Sequence, residues 1–446
     1  MTKISYIIKR SGAIVPFTPE RITNAIYRAF VAVGDRDHHQ SEELCKKVVI
    51  DLINQFGEKT IPSVEEIQDT VEKVLIENGH VKVAKAYILY RNERSFKRKE
   101  RAELASQPST NIPWAKIWHI LDWAVDQGVN TVEGLNQRIR NGELPEIVSN
   151  CELQYEIDIE NAVEMIKLRK NIIKMVIISG PSSSGKTTTT IKIGKRLERI
   201  GLRLRTLNVD NYFFNLEMHP KDEFGDYDFE TPQALDLSLI NQHLLDLING
   251  KEILVPFYDF KTGMRTEKLT PMHLADNEIV LIDSLHGLFH EMTSSVSDDI
   301  KFKLYLEPLM QMKTASGDYV RWTDLRLMRR MLRDASHRAY DPTKTLLHWH
   351  YVRSSEMRNI VPFINTSNYI INSAMPFELG LYRPKLINEF RKWVETYKTD
   401  PLKVDAFNRA QRTLQVLEEV LPIENDDCVP LDSVIREFIG GSSLAY

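Results

Sequence analysis

The stretch SGPSSSGKTTTT, residues 179–190, is the part of the sequence best equipped for chemistry. It lies between an apolar run and an amphipathic run, and it contains the phosphate-binding pattern G-x-x-x-x-G-K-[ST]. Its two glycines permit close backbone approach, Lys186 can reach outer phosphates, and the Thr187 hydroxyl can serve a magnesium ion. The pattern predicts a nucleoside triphosphate site, and the alternative is a serine-rich linker turn. The predicted nucleotide-binding residues of this loop are Gly180, Pro181, Ser182, Ser183, Ser184, Gly185, Lys186, Thr187 and Thr188.

Two aspartates close apolar strands farther along the chain. Asp210 follows LRLRTLNV, and Asp283 follows NEIVLI. A carboxylate at a strand end near the γ-phosphate can accept or orient the proton of an attacking hydroxyl, and we predict this role for Asp210. Asp283 is predicted to hold magnesium through its water shell. The alternatives are a capping residue for Asp210 and an ordinary strand-end aspartate for Asp283.

An arginine-rich helix is predicted in DLRLMRRMLRDASHR, residues 324–338. Arginines spaced by three or four residues share a helical face, which suits a lid that folds over phosphates and stabilises the moving phosphoryl group. An exposed basic helix would look similar, but the phosphate-binding loop upstream favours the lid. The arginines are Arg326, Arg329, Arg330, Arg333 and Arg338.

The elements that must position these residues alternate between strand and helix from Ile172 onward. The apolar runs IIKMVIIS, RLRTLNVD and NEIVLID read as strands, and residues 187–200 have helical periodicity. Such alternation predicts an α/β fold with a doubly wound parallel sheet. The carboxyl ends of all its strands then share one edge, where ligands bind.

The rest of the chain divides into two further regions. Residues 1–95 predict a short hairpin around Ser11 and Gly12, followed by amphipathic helices, and therefore a small, mainly helical domain. Residues 96–170 contain the polar, proline-containing stretch SQPSTNIPW and two helical segments, so we assign them a connecting role. The sheet-containing domain with a helical extension is predicted over residues 171–446.

Composition excludes several classes of protein. The 446 residues carry a net charge near −4, which indicates no general attraction to nucleic acid or to an anionic membrane. No apolar run is long enough for a membrane helix, and the first residues do not resemble a secretory signal. The three cysteines lie far apart, which indicates neither a disulfide framework nor a zinc site, so a reducing cytoplasm is expected. RNA association through the basic stretch FKRKER is the weakest alternative, because acidic residues are interleaved with it.

Six segments in order resemble the uridine kinase and phosphoribulokinase family of P-loop kinases over residues 170–375. The resemblance implies ATP and Mg²⁺ as cofactors, with the magnesium served by Thr187 and Asp283. It also implies a catalytic base at Asp210 and phosphate binding by Lys186. The segments are GPSSSGKTT, VDNYF, DYDFETPQALD, VPFYDFKTGMR, LIDSLHGL and RRMLRDASHR.

The same resemblance implies a lid and an acceptor pocket. The lid would contain Arg330 and Arg338, which bind nucleotide, and Arg333, which acts in catalysis. Three residues would line the pocket, and a fourth position differs from the residue that is usual in the family. Glu230 stands where the family commonly has an aspartate that binds ribose hydroxyls, and Gly263 replaces a base-reading histidine. The other pocket residues are Tyr258 and Arg265.

Two further resemblances concern the ends of the sequence. Residues 3–94 are similar to the ATP-cone domain of ribonucleotide reductases, which implies nucleotide sensing through Lys9 and Arg10. The stretch VPLDSVIREFIGGS, residues 429–442, resembles the tail of long bacterial uridine-kinase-like proteins, and its sequence by itself suggests no role.

Together these features predict an ATP- and Mg²⁺-dependent phosphotransferase with an alcohol acceptor. The acceptor would be a uridine-like or cytidine-like nucleoside or a related small polyol, and a nucleotide effector would bind the ATP-cone. The alternative is a regulatory ATP-binding protein that phosphorylates no acceptor. The sequence leaves the acceptor, the direction of regulation and the oligomeric state open, a homo-oligomer included.

Overall fold

A computed structural model describes residues 4–8, 14–35, 37–57, 60–91, 111–220, 230–337, 341–400 and 402–445. The chain divides into two compact units. The smaller comprises residues 1–109 with 399–404, and the larger comprises residues 110–398 with 405–446. Within the described ranges, no helix has the length and apolar character needed to cross a membrane.

The smaller unit is mainly helical. Its strands β1 (Tyr6–Ile8) and β2 (Ile14–Pro16) pair antiparallel, as the predicted hairpin requires, although the turn between them lies outside the described residues. Apolar stripes of the helices pack into one buried core around Ile26, Val48 and Val71. The helices are α1 (Pro19–Ala32), α2 (His38–Phe56), α3 (Val64–Glu77) and α4 (81–91).

A parallel sheet of five strands organises the described part of the larger unit, in the order β4-β7-β3-β8-β9. β3 lies at the centre, with its last residue, Ser179, in register with Ser284 and Tyr305 of its neighbours. The strands therefore end along one edge, as predicted. They are β3 (Met175–Ser179), β4 (Arg203–Thr206), β7 (Glu278–Ser284), β8 (Lys301–Glu307) and β9 (Tyr369–Asn372).

Both faces of this sheet are buried. Successive side chains of a strand point to opposite faces, so each central strand contributes to two cores. Val176 and Ile178 of β3 belong to a large core that also contains side chains of α8 (Lys186–Arg199) and α10 (Trp322–His337). Met175 and Ile177 belong to a second core with α9 (Leu237–Ile248). The doubly wound arrangement is thus observed.

The second core is completed by a two-stranded antiparallel sheet. β5 (Ile253–Asp259) pairs with β6 (Met264–Met272), and Tyr258 lies in register with Arg265. Ile253, Val255 and Tyr258 of β5 are buried in this core.

Helices of the region that we assigned a connecting role belong to the larger core. α5 (Trp114–Asp126), α6 (Val132–Arg140) and α7 (Leu144–Leu168) contribute buried side chains to it. The buried Asp158 of α7 accepts a hydrogen bond from the Asn372 amide at 3.0 Å, at the end of β9. These helices therefore form part of the larger unit.

Helices near the carboxyl end of the chain cover the large core. Leu346, Tyr382 and Ala410 are among their fully buried side chains. The helices are α11 (Pro342–Asn359), α12 (Glu378–Tyr397), α13 (Val404–Glu419) and the short α14 (Arg436–Ile439).

Candidate active site

The predicted phosphate-binding loop connects the buried strand β3 to helix α8 at the carboxyl edge of the sheet. Gly185 precedes α8 with φ +91°, a conformation that side chains disfavour. A Cβ atom on Gly180 would lie 2.2 Å from the main-chain oxygen of Leu306, so no side chain fits there. The two glycines of the pattern are thus required by backbone conformation and by close packing.

Side chains from outside the loop hold two of its main-chain oxygens. Arg326 donates a hydrogen bond to the Ser182 oxygen at 3.1 Å, and the Ser373 hydroxyl donates to the Ser184 oxygen at 2.6 Å. Ser373 follows β9 directly. The loop backbone is therefore held from α10 and from the end of β9.

Lys186 lies folded over the start of this loop. Its amine donates to the main-chain oxygens of Gly180 at 2.9 Å and Pro181 at 3.4 Å. Burial lowers the pKa of this amine, while the nearby carboxylates of Asp283 and Glu437 act in the opposite direction. Lys186 thus satisfies its charge with loop oxygens that a phosphate could replace.

Asp283 lies at the sheet edge beside α8. Its Oδ2 atom accepts a hydrogen bond from the Thr190 hydroxyl at 3.2 Å, and burial raises the pKa of the carboxyl group. Thr187 lies one turn earlier on the same helix and is exposed. Magnesium is usually held by one or two protein oxygens together with substrate phosphates, and this donor set fits such a site. Among the described residues, no cluster of three or more His, Cys, Asp or Glu could hold a metal.

Asp210 occupies a different local setting from the predicted one. The sequence places it at the end of the second strand, but β4 ends at Thr206 and Asp210 lies in a 3₁₀ turn, Val209–Tyr212. The turn forms because the Asn208 side chain accepts a hydrogen bond from the Asp210 amide at 3.1 Å. Asp210 is exposed there, and its neighbour Asn211 joins this turn to the β5–β6 hairpin, because the Asn211 side chain accepts a hydrogen bond from the Tyr258 amide at 3.5 Å.

Two arginines of the predicted lid helix are buried ion-pair partners. Arg326 makes a two-pronged contact with Glu356 at 2.6 and 2.7 Å, and Arg329 makes one with Glu378 at 2.7 and 2.8 Å. All four side chains are at most 3% exposed. For these two arginines the lid prediction is wrong, because carboxylates of α11 and α12 hold both guanidinium groups inside the core.

The other two described arginines of α10 remain partly exposed near the loop. Arg330 donates to the Ser182 hydroxyl at 3.4 Å and lies 3.7 Å from a carboxylate oxygen of Glu230. Arg333 pairs with Asp334 at 3.3 Å, and its charge acts on the pKa of Lys186. The structure thus brings Arg330 to the phosphate-binding loop and to the predicted ribose-binding residue at once.

The two acceptor-binding residues predicted in the β5–β6 hairpin differ in whether their polar groups already have partners. Arg265 pairs with Asp236 at 3.1 Å and with Glu267 at 2.5 Å, so its charge is already neutralised. The Tyr258 hydroxyl is buried and has no hydrogen-bond partner in the described part of the chain. Its ring lies in an aromatic cluster with Phe213 and Phe260.

Gly263 has a structural reason to lack a side chain. It adopts φ +70°, and a Cβ atom there would lie 2.8 Å from Leu216. The Gly263 oxygen also accepts a hydrogen bond from the Leu216 amide at 2.8 Å. The position where the resemblance implies a base-reading histidine is thus occupied by a turn packed against Leu216.

His286 is a site residue that sequence reasoning missed. It follows β7 by two residues and is 5% exposed, and it lies close to the Glu230 backbone, which acts to raise its pKa. Burial lowers its pKa to about 4, and the charge of Lys186 acts in the same direction. The only sequence signal is its position three residues after Asp283, within LIDSLHGL.

Three predicted residues lie outside the described residues. They are the lid residue Arg338 and the effector-site residues Lys9 and Arg10.

The parallel sheet, the glycine-bounded loop after its central strand and the lysine that opens α8 define an α/β protein of the P-loop class. Residues 175–377 match the model of the phosphoribulokinase and uridine kinase family, and residues 5–96 match that of the ATP cone domain. The uridine kinase of Macrococcus caseolyticus is 32% identical over 161 residues, which cover 36% of this chain and 68% of that kinase. The chain belongs to the phosphoribulokinase and uridine kinase family, and the resemblances of residues 170–375 to this family and of residues 3–94 to the ATP-cone domain are confirmed.

Two further relatives match shorter shares of their own length. Uridine-cytidine kinase B of Dictyostelium discoideum is 31% identical over 161 residues, 36% of this chain and 58% of that protein. A vitamin B12-dependent ribonucleoside-diphosphate reductase of Thermoplasma acidophilum is 43% identical over 103 residues, 22% of this chain and 13% of the reductase. This chain therefore spans little more than half of the first protein and a small part of the second.

Proposed function

We propose that this chain is an ATP-dependent phosphotransferase that moves the γ-phosphoryl group to a hydroxyl of a nucleoside or a related small polyol. One observation carries the proposal. Lys186, at the start of α8, lies over the fixed loop with the carboxylate of Asp283 near enough to act on its pKa. A cation and a carboxylate at a helix amino end form the environment that a phosphate chain and its magnesium ion require.

The residues of the loop would act by binding and orienting the phosphates. Lys186 would exchange the Gly180 oxygen for oxygens of the outer phosphates, and Arg330 and Arg333 would neutralise charge on the moving phosphoryl group. Thr187 and Asp283 would hold Mg²⁺, which supplies charge neutralisation when bound. Because Arg326 already holds the loop through Ser182, the loop backbone itself would need little rearrangement on binding.

The acceptor would lie between the 3₁₀ turn, the hairpin and Glu230. Asp210 would accept or orient the proton of the attacking hydroxyl. Glu230 could accept hydrogen bonds from a diol, and the buried Tyr258 hydroxyl is available as a further partner. Gly263 packs against Leu216 and has no side chain, so position 263 cannot supply the base-reading group that the resemblance to uridine-cytidine kinases implies. We therefore propose two candidate classes of acceptor, small polyols and nucleosides such as uridine and cytidine.

Product formation tests the proposal directly. The full chain is incubated with ATP, Mg²⁺ and a panel of nucleosides, sugars and polyols, and phosphorylated products are identified by mass spectrometry. We expect one acceptor class to be phosphorylated, and Asp210→Asn to lose this activity while it still binds ATP. Asp276→Asn is the matched control, because Asp276 is exposed just before β7, at the opposite edge of the sheet. No product from any acceptor would leave the alternative, an ATP-binding regulator without acceptor chemistry.

We further propose that a nucleotide bound to the ATP-cone regulates this activity. The match of residues 5–96 to the ATP cone domain supports this proposal. Turnover is measured in the full chain against added ATP, ADP and dATP at fixed substrate. Replacing Lys9 and Arg10 by alanine should remove the response and leave basal turnover intact. A response that survives both substitutions would refute regulation through these residues.

A further inference from the structure

The segment VPLDSVIREFIGGS, residues 429–442, lies directly on the phosphate-binding loop; we refer to it as the REFIGGS segment. A Cβ atom on Gly185 would lie only 2.4 Å from a methyl carbon of Val434. Glu437, which follows in α14, places a carboxylate oxygen 3.0 Å from the Thr188 hydroxyl and 3.3 Å from the Thr188 amide nitrogen. Both Thr188 groups donate to this one oxygen.

The REFIGGS segment is held in this position by several buried contacts. The Ser433 hydroxyl donates to Glu152 of α7, and both side chains are buried. Arg436 donates to the main-chain oxygens of Val429 at 2.8 Å and Asp426 at 3.0 Å. The Phe438 ring lies 4.9 Å from the guanidinium carbon of Arg329. These contacts fix the backbone on both sides of Glu437.

The position of Glu437 matters because of where Thr188 lies. Thr188 is the third residue of α8, and the amides of a first helical turn have no partner within the helix. Such amides bind phosphate groups at the amino ends of helices. The Glu437 carboxylate supplies the negative charge that a phosphate would supply, and it also acts on the pKa of Lys186. A phosphate approaching the Thr188 amide would find this donor already bound to Glu437 and would be repelled by the negative charge of the carboxylate.

We propose that Glu437 is an internal competitor of the nucleotide, so that the phosphate chain must displace its carboxylate from Thr188. This inference rests on the proposed function, in which the loop binds a nucleoside triphosphate. It assigns the REFIGGS segment to the nucleotide site. Binding of ATP or ADP then couples to movement of this segment, and the affinity for nucleotide is set partly by the strength of the internal contact.

Nucleotide titration of the full chain tests the competition. Glu437→Gln removes the charge and keeps the shape, so the Kd for ADP and for ATP with Mg²⁺ should fall about tenfold, the worth of one charge-assisted hydrogen bond. Asp432→Asn is the matched control. It removes a carboxylate from the same segment, but Asp432 pairs with Lys192 at 3.2 Å and does not reach the loop. Its Kd should equal that of the unchanged chain.

The outcomes separate the two proposals. Tighter nucleotide binding by Glu437→Gln alone supports the competition. Equal or weaker binding by a variant with an unchanged melting temperature overturns it and leaves the proposed nucleotide site standing. No binding by any variant at millimolar ADP overturns the nucleotide site itself, and the competition with it.

Hydrogen exchange of the unsubstituted chain supplies a test that needs no variant. Saturating ADP should increase amide exchange in residues 433–440, because displacement of Glu437 frees the segment around it. The amides of α7 should serve as the internal reference. Slower exchange in residues 433–440 on ADP binding would show that nucleotide orders this segment, and it would overturn the competition.

Discussion

Arg326 of α10 donates a hydrogen bond to the main-chain oxygen of Ser182 in the phosphate-binding loop, at 3.1 Å and across 144 positions of sequence. The guanidinium group is fully buried and pairs with Glu356 through two further hydrogen bonds. A core ion pair thus fixes the backbone that surrounds the proposed phosphate site.

Replacing Arg326 by lysine should damage stability and nucleotide affinity together. Lysine keeps the charge but cannot reproduce the forked contact with Glu356 and the bond to Ser182. We expect a loss of about 3 kcal/mol in the free energy of unfolding, measured by urea denaturation, and a higher Kd for ADP. Arg358→Lys, on an exposed site of α11, should change neither quantity measurably. An unchanged Kd in Arg326→Lys would show that the bond to Ser182 does not shape the site.

Replacing Lys186 by methionine should separate binding from folding. Burial lowers the pKa of the Lys186 amine, so the folded state disfavours the charged form. Removing the amine should therefore cost little stability. We expect a melting temperature equal to or above that of the unchanged chain, but no stabilisation on adding ADP. Lys195→Met, on an exposed site of the same helix, should keep the full ADP effect. A melting temperature several degrees lower would indicate instead that Lys186 stabilises the loop.

Gly263 and Gly250 form a matched pair for testing the turn of the hairpin. Both have positive φ, +70° and +77°, but only Gly263 has a neighbour where a Cβ atom would stand, Leu216 at 2.8 Å. Each alanine variant should pay for its backbone strain, about 1 kcal/mol, and Gly263→Ala should lose more because of the clash. Urea denaturation measures both. Equal losses would mean that Leu216 moves aside freely.

Replacing Tyr258 by phenylalanine should affect the acceptor and not the fold. The buried hydroxyl has no partner in the described part of the chain, so removing it should leave the free energy of unfolding unchanged or slightly higher. If the hydroxyl binds the acceptor, KM for the acceptor should rise about tenfold while KM for ATP stays constant. Tyr319→Phe, at a half-exposed ring, is the control. A constant acceptor KM would exclude Tyr258 from the pocket.

Glu152 should make stability depend on pH. Burial raises its pKa from 4.5 to about 7, against the Ser433 hydrogen bond and the charge of Lys192, while the charges of Glu156 and Asp432 act with the burial. The folded state therefore binds the proton more tightly. The contribution of Glu152 to stability is complete below pH 4.5 and is lost as the pH rises to about 7, by roughly 3 kcal/mol.

Glu152→Gln should lack this loss, so the variant gains stability relative to the unchanged chain between pH 5 and pH 7.5. Thermal unfolding at a series of pH values in both proteins measures the difference, which cancels the contributions of other groups. A difference that stays constant over this range would contradict the raised pKa.

The prediction of the fold succeeded where a strand is apolar on both faces. β3 and β7 were found as continuous apolar runs, and their burial between two cores is the reason for that pattern. The sequence pattern does not predict β8, because KFKLYLE carries two lysines among its first three residues. Lys301 is 2% exposed, Lys303 is partly buried, and both pair with Asp298 at 2.9 Å. This aspartate lies just before β8 and neutralises both lysines, and the alternation of polar and apolar side chains hides the strand from a search for continuous apolar runs.

The role of residues 110–170 was equally hidden. Amphipathic helices after a polar stretch are compatible with a connector, and nothing in their sequence names the surface that they cover. The buried Asp158 pairs with Lys116 at 2.5 Å and also binds the end of β9, more than 200 positions away. The contact with β9 forms only when the sheet exists.

The sequence by itself predicted the chemistry of the site and identified the family of the protein. Two glycines, a lysine and a threonine at fixed spacing can be recognised without any distant partner, because the strand before the loop and the helix after it are adjacent in sequence. What only the tertiary structure decided is which charged side chains can meet a phosphate. Arg329 is held by Glu378, 49 positions away, and Glu437 reaches Thr188 across 249 positions. The environment of a charge depends on what packs around it, and helical spacing alone does not contain that information.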